Sequence, residues 1–370
     1  MKKPYQTAVD NIVETLEWFF TRAFSKIHVD LNGYKPETLK DSMVMAVSSH
    51  RSQTDYFLFG WVLFNNGVKY LRIAAGDNLT TLPFIGKKFK SFGAFPVKRD
   101  MALRKNYVRQ LCLDVVGMLE DNEPILVFPE GGRSYGGDMM EPRGGILLSA
   151  ILAQARNPQK KVYLLPGTVS YEYLPELPYF EMLGKGKEMR KKSNNVFRRL
   201  AGTLYYFGAD ILAFGKFLLR TRLGLSQGEV YVDIGTPLAV NEIVDVKANF
   251  NAKARDDFSG HQASMRIVCN KLSTVFRSLY RFLPEHVVAG VLKKNPAIAK
   301  RAAAERVQEI VLRLREQKRN TKTLDALTEH QIVAIGFKQL RRVKAVSMQG
   351  GALAIRKQSI IDYYASALME

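Results

Sequence analysis

Apolar residues alternate along this chain between strand-like runs and helical spacings, and this alternation predicts the fold. Short β-prone runs predict strands at residues 43–48, 69–75, 93–97, 124–128, 161–170 and 229–234. Apolar positions at helical spacing predict helices at 56–64, 105–121, 144–155 and 201–219. Strands and helices in regular succession indicate an α/β fold, with a mixed, largely parallel sheet covered by helices.

Both ends of the chain are predicted to be helical. Residues 1–28 have an amphipathic pattern, which is typical of a helix packed on a core or of one lying in a membrane interface. From about residue 240, helical patterns follow at 263–280, 297–318, 324–346 and 352–368. We expect three segments: an N-terminal amphipathic segment at 1–40, an α/β domain at 41–240 and a C-terminal helical region at 241–370. No chemistry stands out in the last segment, which could cap the core, cover an apolar ligand or bind a partner.

The first predicted strand ends in a stretch that suggests acid–base chemistry. His50 follows the strand, and Asp55 falls in the first turn of the next helix. At the carboxyl end of a strand, a carboxylate can hold one imidazole nitrogen and leave the other to act as a general base. The alternative is structural, because Ser52 and Asp55 also have the spacing of a helix-capping box.

A second candidate follows the strand at 124–128. The sequence from Glu130 to Gly137 holds four glycines in seven residues, together with Arg133 and Ser134. Glycines let backbone N–H groups approach a ligand closely, and a guanidinium binds phosphate in a bidentate way. The alternative is a flexible hairpin.

Two further pairs of reactive side chains stand at the ends of predicted strands. Lys98 and Arg99 end the short strand at 93–97, and Tyr171 and Glu172 follow the strand at 161–170. Because the carboxyl ends of parallel strands share one edge of a sheet, repeated placement there carries more weight than any single motif.

The composition indicates a class of binding partner but does not identify the partner. The chain of 370 residues has a net charge of +20, from 55 basic and 35 acidic side chains, which predicts an anionic partner. Its aromatic residues sit in apolar runs and no nucleic-acid motif is present, so we expect no nucleic acid partner. The two cysteines make no metal spacing, and no uncharged apolar run is long enough to predict a transmembrane helix. The basic stretch at 185–199, next to the apolar 201–219, suggests contact with an anionic bilayer.

Taken together, four blocks resemble the glycerophospholipid acyltransferase superfamily, and most of all its bacterial glycerol-3-phosphate 1-O-acyltransferases. The blocks are His50 with Asp55, the sequence Gly-Ala-Phe-Pro-Val-Lys-Arg at 93–99, Glu-Gly-Gly-Arg-Ser at 130–134, and Pro166 with Tyr171-Glu172. The stretch at 227–237 is also similar, so the resemblance covers about residues 40–240. The chain departs from the family pattern at three places: Lys98 replaces an arginine, Pro96 an aromatic residue, and Gln53-Thr54 an apolar pair.

The resemblance implies direct acyl transfer from a thioester to the 1-hydroxyl of glycerol 3-phosphate, giving lysophosphatidate. His50 would be the general base and Asp55 would orient it. Arg133, assisted by Lys98 and Arg99, would hold the acceptor phosphate, while Glu130 positions the acceptor hydroxyls. The full set of expected substrate-binding residues is Arg51, Ser52, Lys98, Arg99, Glu130, Gly131, Gly132, Arg133 and Ser134.

The implied partners are glycerol 3-phosphate, acyl-CoA or acyl carrier protein as co-substrate, and an anionic membrane surface. No metal or other cofactor is expected. The location implied is the cytoplasmic side of the cell membrane, peripheral or monotopic. Two alternatives stay open: an acyltransferase for another acceptor, such as dihydroxyacetone phosphate, a lysophospholipid or an amino-acid-derived lipid, and a non-catalytic membrane-surface protein on the same scaffold.

Overall fold

A computed structural model describes residues 2–76, 85–98, 105–180, 182–185, 196–246 and 261–368. The strands of the main sheet are β1 Lys26–Asp30, β2 Met43–Ser48, β3 Arg72–Gly76, β4 Ala94–Val97, β5 Ile125–Val127, β6 Val162–Tyr171, β7 Glu229–Ile234 and β8 Leu238–Ala239. They lie in the order β1–β7–β6–β2–β5–β3–β4, and β8 pairs with β6. The five strands from β6 to β4 run parallel, whereas β7 is antiparallel to β6 and parallel to β1. The predicted mixed, largely parallel sheet is confirmed.

The described helices follow the strands along the chain. Their bounds are α1 Pro4–Ala23, α2 Asp55–Asn65, α3 Ile85–Ser91, α4 Lys105–Glu120, α5 Gly144–Arg156, α6 Val196–Arg222, α7 Val240–Ile243, α8 Gln262–Leu279, α9 Pro284–Lys294, α10 Lys300–Glu316, α11 Lys322–Asp325, α12 Glu329–Arg342 and α13 Gln358–Ser366. Two short 3₁₀ helices occur at Pro36–Leu39 and Leu177–Tyr179. No helix in these ranges is both long enough and apolar enough to cross a membrane.

The central strands are continuous apolar runs because both faces of the sheet are covered. Every residue of β2 and β5 is buried, as expected for parallel strands between helical layers. The parallel pairing of β2 with β5 and β6 brings the carboxyl ends of three strands to one edge. That edge therefore receives the segments that begin at His50, Glu130 and Tyr171.

The N-terminal helix is shorter than its sequence pattern suggested. Residues 1–28 were expected to be helical, but α1 ends at Ala23 and Phe24 is extended. The chain then continues as β1, which pairs with β7 at the edge of the sheet. The helical prediction for 24–28 was wrong, because Phe24 is extended and residues 26–28 belong to β1. Phe20 and Ala23 fix the end of α1 in the core.

The C-terminal region contains a small antiparallel sheet that helical spacing concealed. Its strands are β9 Ala297–Ala299, β10 Val346–Gln349 and β11 Ala352–Ile355, in the order β10–β11–β9. The helical predictions for 297–299, 346 and 352–355 were therefore wrong. Gly350 and Gly351 both have positive φ and form the turn of the β10–β11 hairpin. Three-residue and four-residue strands are too short to show an alternating pattern in the sequence.

Candidate active site

His50 and Asp55 form a buried pair at the carboxyl end of β2. The Nδ1 atom of His50 lies 3.1 Å from Oδ2 of Asp55, the first residue of α2. Only 2% of His50 and 0% of Asp55 is exposed. The imidazole ring packs against Tyr56 and Phe128, with centroids 4.9 and 4.5 Å away. The carboxylate favours the tautomer with the proton on Nδ1, so Nε2 is the nitrogen with the lone pair of a general base.

The Asp55 carboxylate is held by three further donors. Its Oδ2 accepts the backbone N–H groups of Arg51 and Ser52 at 2.6 and 2.8 Å. Its Oδ1 accepts the hydroxyl of Tyr171, which comes from the end of β6, at 2.5 Å. Burial, together with Asp55 itself, raises the pKa of Tyr171 well above its ordinary value, so the phenol stays a donor. Asp55 thus closes the turn before α2 and lies beside His50. The N-cap of α2 is Thr54 and not Ser52, so the Ser52–Asp55 spacing shapes the turn rather than the helix cap, and the catalytic role of the pair stays a prediction.

Glu130 brings a second carboxyl group to the same edge, from the end of β5. It is 0% exposed, and burial raises its pKa to about 8 against the lowering effect of the Arg51 guanidinium and the His50 backbone N–H. Within the described residues, neither carboxylate oxygen has a well-formed hydrogen bond. A buried carboxyl group without such a bond in a native structure is a good candidate for ligand contact.

Arg51 contacts groups of the protein from two other parts of the chain. It is 2% exposed, and its guanidinium donates to the carbonyls of Gly137 and Asp138 at 3.1 and 2.7 Å. It also lies over the ring of Tyr280, 4.7 Å from the centroid. These contacts tie the glycine-rich loop and the C-terminal region to the turn that carries His50. Substrate contact by Arg51 stays a prediction.

Arg133 is surrounded by acidic side chains. Its Nη2 donates to both oxygens of Asp210, on α6, at 2.8 and 3.0 Å, and its Nη1 lies 3.6 Å from Glu176. Glu176 also accepts the Ser52 hydroxyl, at 2.9 and 3.0 Å. Burial raises the pKa of Glu176 above its ordinary value, although the Arg133 guanidinium lowers it in part. Through Glu176, the turn after β2 and the loop after β5 form one polar cluster.

The remaining residues predicted to bind substrate lie in different parts of the structure. Ser134 is buried and donates to Asp138 at 2.7 Å. Gly131 has a φ of +72° and is exposed, whereas Gly132 is buried. Lys98 is exposed at the end of β4. Three strand spacings separate β4 from β2, which is about 14 Å. The role of Lys98 in holding the acceptor phosphate stays a prediction, and Arg99 lies outside the described residues.

Sequence reasoning missed Glu176 and Asp210 as members of this cluster, and it noted Tyr171 without giving it a role. Tyr171 was noted at a strand end and in the fourth family block, and its bond to Asp55 depends on the pairing of β6 with β2. Asp210 is the one acidic residue in the sequence of α6, and this isolation in an apolar helix was a usable signal. Glu176 carries no such signal. In the described part of the chain, no cluster of His, Cys, Asp or Glu could hold a metal ion.

Part of this chain is similar to known proteins. Residues 30–170 match the family model described as Acyltransferase. The glycerol-3-phosphate acyltransferase of Hamiltonella defensa is 31% identical over 207 residues, which are 54% of this chain and 25% of that protein. The protein of the same name from Xanthomonas axonopodis pv. citri is 29% identical over 239 residues, covering 63% of this chain and 25% of that protein. The matched region thus spans a quarter of the length of these curated relatives.

A solved structure was also found to be similar. It is the 1-acyl-sn-glycerophosphate acyltransferase of Thermotoga maritima, with 15% identity and a TM-score of 0.38, covering 74% of this chain and 83% of that chain. The family match at 30–170 and the curated relatives confirm the resemblance that the four motif blocks indicated.

Proposed function

We propose that this chain, whose residues 30–170 match the family model described as Acyltransferase, is an O-acyltransferase that acts on glycerol 3-phosphate. Acyl transfer to the 1-hydroxyl would give lysophosphatidate, the first step of phospholipid synthesis. The observation that carries the proposal is the buried His50–Asp55 pair, with Asp55 fixed by two backbone N–H groups and the hydroxyl of Tyr171. Such fixed orientation is what a general base needs.

In the proposed reaction, the acceptor hydroxyl attacks the thioester carbonyl directly. Nε2 of His50 takes the hydroxyl proton as the new C–O bond forms, and Asp55 stabilises the resulting imidazolium. When the C–S bond breaks, the imidazolium returns the proton to the leaving thiolate. The products are an ester and a free thiol, and no side chain is acylated. Acid–base assistance of this kind accelerates reactions roughly 10²–10⁴-fold.

The loop after β5 supplies the groups for the acceptor. A guanidinium suits a phosphate, so Arg133 would bind the phosphate of glycerol 3-phosphate. Glu130, protonated at neutral pH because of its raised pKa, would contact an acceptor hydroxyl. Two relatives named glycerol-3-phosphate acyltransferase support this acceptor. For the donor, acyl-CoA and acyl carrier protein are both anionic and both fit a chain of net charge +20.

The first test compares wild type with His50→Ala. Purified protein is supplied with labelled glycerol 3-phosphate and either a long-chain acyl-CoA or an acyl-acyl carrier protein, and lysophosphatidate is quantified. Wild type should form product with at least one donor, and His50→Ala should lose it. His330→Ala, which removes an exposed histidine of α12, is the matched control and should retain activity.

The other outcomes decide between the alternatives. Product that persists undiminished in His50→Ala would show that another group acts as the base. Absence of product with glycerol 3-phosphate, but turnover of dihydroxyacetone phosphate or a lysophospholipid, would move the assignment to another acceptor. No turnover with any of these acceptors, together with vesicle binding that survives His50→Ala, would favour the non-catalytic membrane-surface protein.

We also propose that α6 rests on the cytoplasmic face of an anionic membrane. One side of this helix and the neighbouring Trp18 expose large apolar side chains, here named the α6 apolar surface: Trp18, Ile211, Leu212, Phe214, Leu218, Leu219 and Leu223. Lys216 and Arg222 are exposed on the same helix. Apolar and basic side chains together suit an interfacial helix on an acidic lipid surface. The basic stretch at 185–199 lies largely outside the described residues.

Vesicle sedimentation tests this location. Wild type should bind vesicles that contain anionic lipid more tightly than zwitterionic ones, and the double variant Ile211→Ser/Leu212→Ser should bind both weakly. The matched control is Ile267→Ser/Leu312→Ser, which alters two exposed apolar side chains on α8 and α10. Equal loss of binding in the two double variants would refute the assignment to α6.

A further inference from the structure

The guanidinium assigned to the acceptor phosphate already has an anionic partner. Both carboxylate oxygens of Asp210 lie within 3.0 Å of Nη2 of Arg133. The pair is well shielded, since 2% of the Arg133 side chain and 12% of the Asp210 side chain is exposed. A carboxylate and a phosphate use the same donors of a guanidinium, so Asp210 occupies a position that a phosphate oxygen would take.

Asp210 reaches this position because of its place on α6. Ala209, Ala213 and Phe217 are buried, whereas Ile211 and Leu212 are exposed, so the side of the helix that carries Asp210 borders the buried face. No other acidic residue occurs in α6. The carboxylate is therefore delivered to Arg133 by a helix that is otherwise apolar and basic.

The turn after β2 also binds the carboxylate of Asp210. Nε2 of Gln53 donates to Oδ2 of Asp210 at 3.2 Å, while the Gln53 backbone N–H binds Glu176 at 2.8 Å. Gln53 is also one of the positions where the chain departs from the family pattern, which has an apolar residue there. An apolar side chain could not make this bond, so the departure and the acid on α6 act together.

A phosphate that approached Arg133 would meet unfavourable charge. Glu176 and Asp210 both face the guanidinium, and like charges at short range repel strongly in a site with little water. Glu176 is held by the Ser52 hydroxyl and by the backbone N–H of Gln53. The carboxylate of Asp210 contacts only the side chains of Gln53 and Arg133 among the described residues. Asp210 is thus the carboxylate that can be displaced without breaking the turn after β2.

We propose that Asp210 is a specificity-determining residue that competes with the acceptor phosphate for Arg133. It binds the guanidinium and must leave before a phosphate can bind, so it sets the acceptor concentration that the site requires. Only ligands whose anionic group outcompetes a carboxylate fill the site. The proposal rests on the proposed function for the identity of the acceptor, but not for the anion subsite itself.

The test is a calorimetric titration with inorganic phosphate and with glycerol 3-phosphate, alongside steady-state kinetics. Asp210→Asn, which keeps the shape and loses the charge, should bind both ligands about tenfold more tightly, the order of one hydrogen bond to a charged group. Its KM for glycerol 3-phosphate should fall by a similar factor, with a smaller change in kcat. Gln53→Leu should lie between wild type and Asp210→Asn, and Asp210→Glu should restore weak binding.

Two controls keep the result interpretable. Glu242→Gln removes one negative charge from an exposed carboxylate that pairs with Lys161, and it should leave phosphate binding and KM unchanged. Thermal unfolding of every variant verifies that it is folded. If a folded Asp210→Asn binds phosphate no better than wild type, or if neither protein binds phosphate, the proposal is overturned. If wild type makes no lysophosphatidate, the proposed function fails, while the phosphate titration still decides the role of Asp210.

Discussion

Glu130→Gln tests the raised pKa of a buried carboxyl group in the site, and it does so without depending on the reaction. Burial raises the pKa of Glu130 from 4.5 to about 8 in the folded protein. This difference of about 3.5 pH units corresponds to about 5 kcal/mol, since each unit is worth about 1.4 kcal/mol. Glutamine has nearly the shape of the protonated carboxyl group but has no proton to lose.

The sign of the effect follows from the protons bound in each state. Between pH 4.5 and about 8, the folded protein holds a proton on Glu130 that the unfolded chain has released. The free energy of unfolding of wild type therefore falls as the pH rises through this window, by up to about 1.4 kcal/mol per unit from this group. Glu130→Gln lacks this dependence, so its stability relative to wild type should increase up to about pH 8 and then level off.

Chemical denaturation, followed by tryptophan fluorescence at pH values from about 5 to about 9, measures this difference. Near pH 5 the two proteins should have similar free energies of unfolding, and the gap should open as the pH rises. Glu242→Gln, at an exposed carboxylate, is the control and should follow wild type throughout. Parallel profiles of wild type and Glu130→Gln would refute the reasoning, because they would mean that Glu130 is ionised in the folded protein at neutral pH.

Three further substitutions probe other contacts. Tyr171→Phe removes the donor 2.5 Å from the buried carboxylate of Asp55, so it should cost about 1.5–3 kcal/mol in chemical denaturation and, under the proposed function, lower kcat. Arg281→Met leaves the fully buried Asp233 without the guanidinium that binds both its oxygens, so denaturation should show a loss of about 3–5 kcal/mol. Gly137→Ala would place a Cβ atom against a backbone carbonyl of α13, so it should lower Tm more than Gly351→Ala, whose positive-φ site has open space around it. A Tyr171→Phe protein as stable as wild type, retained stability in Arg281→Met, or equal Tm losses at the two glycines would contradict the respective contact.

The contact between His50 and Asp55 was predictable because it follows local rules. A histidine after a buried strand and an aspartate in the next first turn are five residues apart, so backbone geometry alone brings them together. The loop from Glu130 to Ser134 was found from its glycines and charges. Lys98 was placed with this group because it also ends a strand; its strand, β4, lies three strand spacings, about 14 Å, from β2, and its contact with substrate stays a prediction.

The contacts of the C-terminal region could not be predicted from local sequence patterns. It offered no reactive motif, yet Tyr280 lies against Arg51, and α13 contacts Gly137 of the glycine-rich loop. Arg281 binds Asp233 of β7 and so joins this region to the main sheet. A role beside the site could not be inferred, because each of these contacts joins residues that are far apart in the chain.

The sequence by itself determined the sheet class, most helix positions and the His50–Asp55 pair. These depend on hydrophobic period and turn chemistry, which act over a few residues. Only the tertiary structure decided which partners complete the site. Tyr171 reaches Asp55 across 116 positions and Asp210 reaches Arg133 across 77, because the order of the strands and the packing of α6 bring them to one edge of the sheet. Those long-range contacts fix Asp55 beside His50 and place Asp210 against the Arg133 guanidinium.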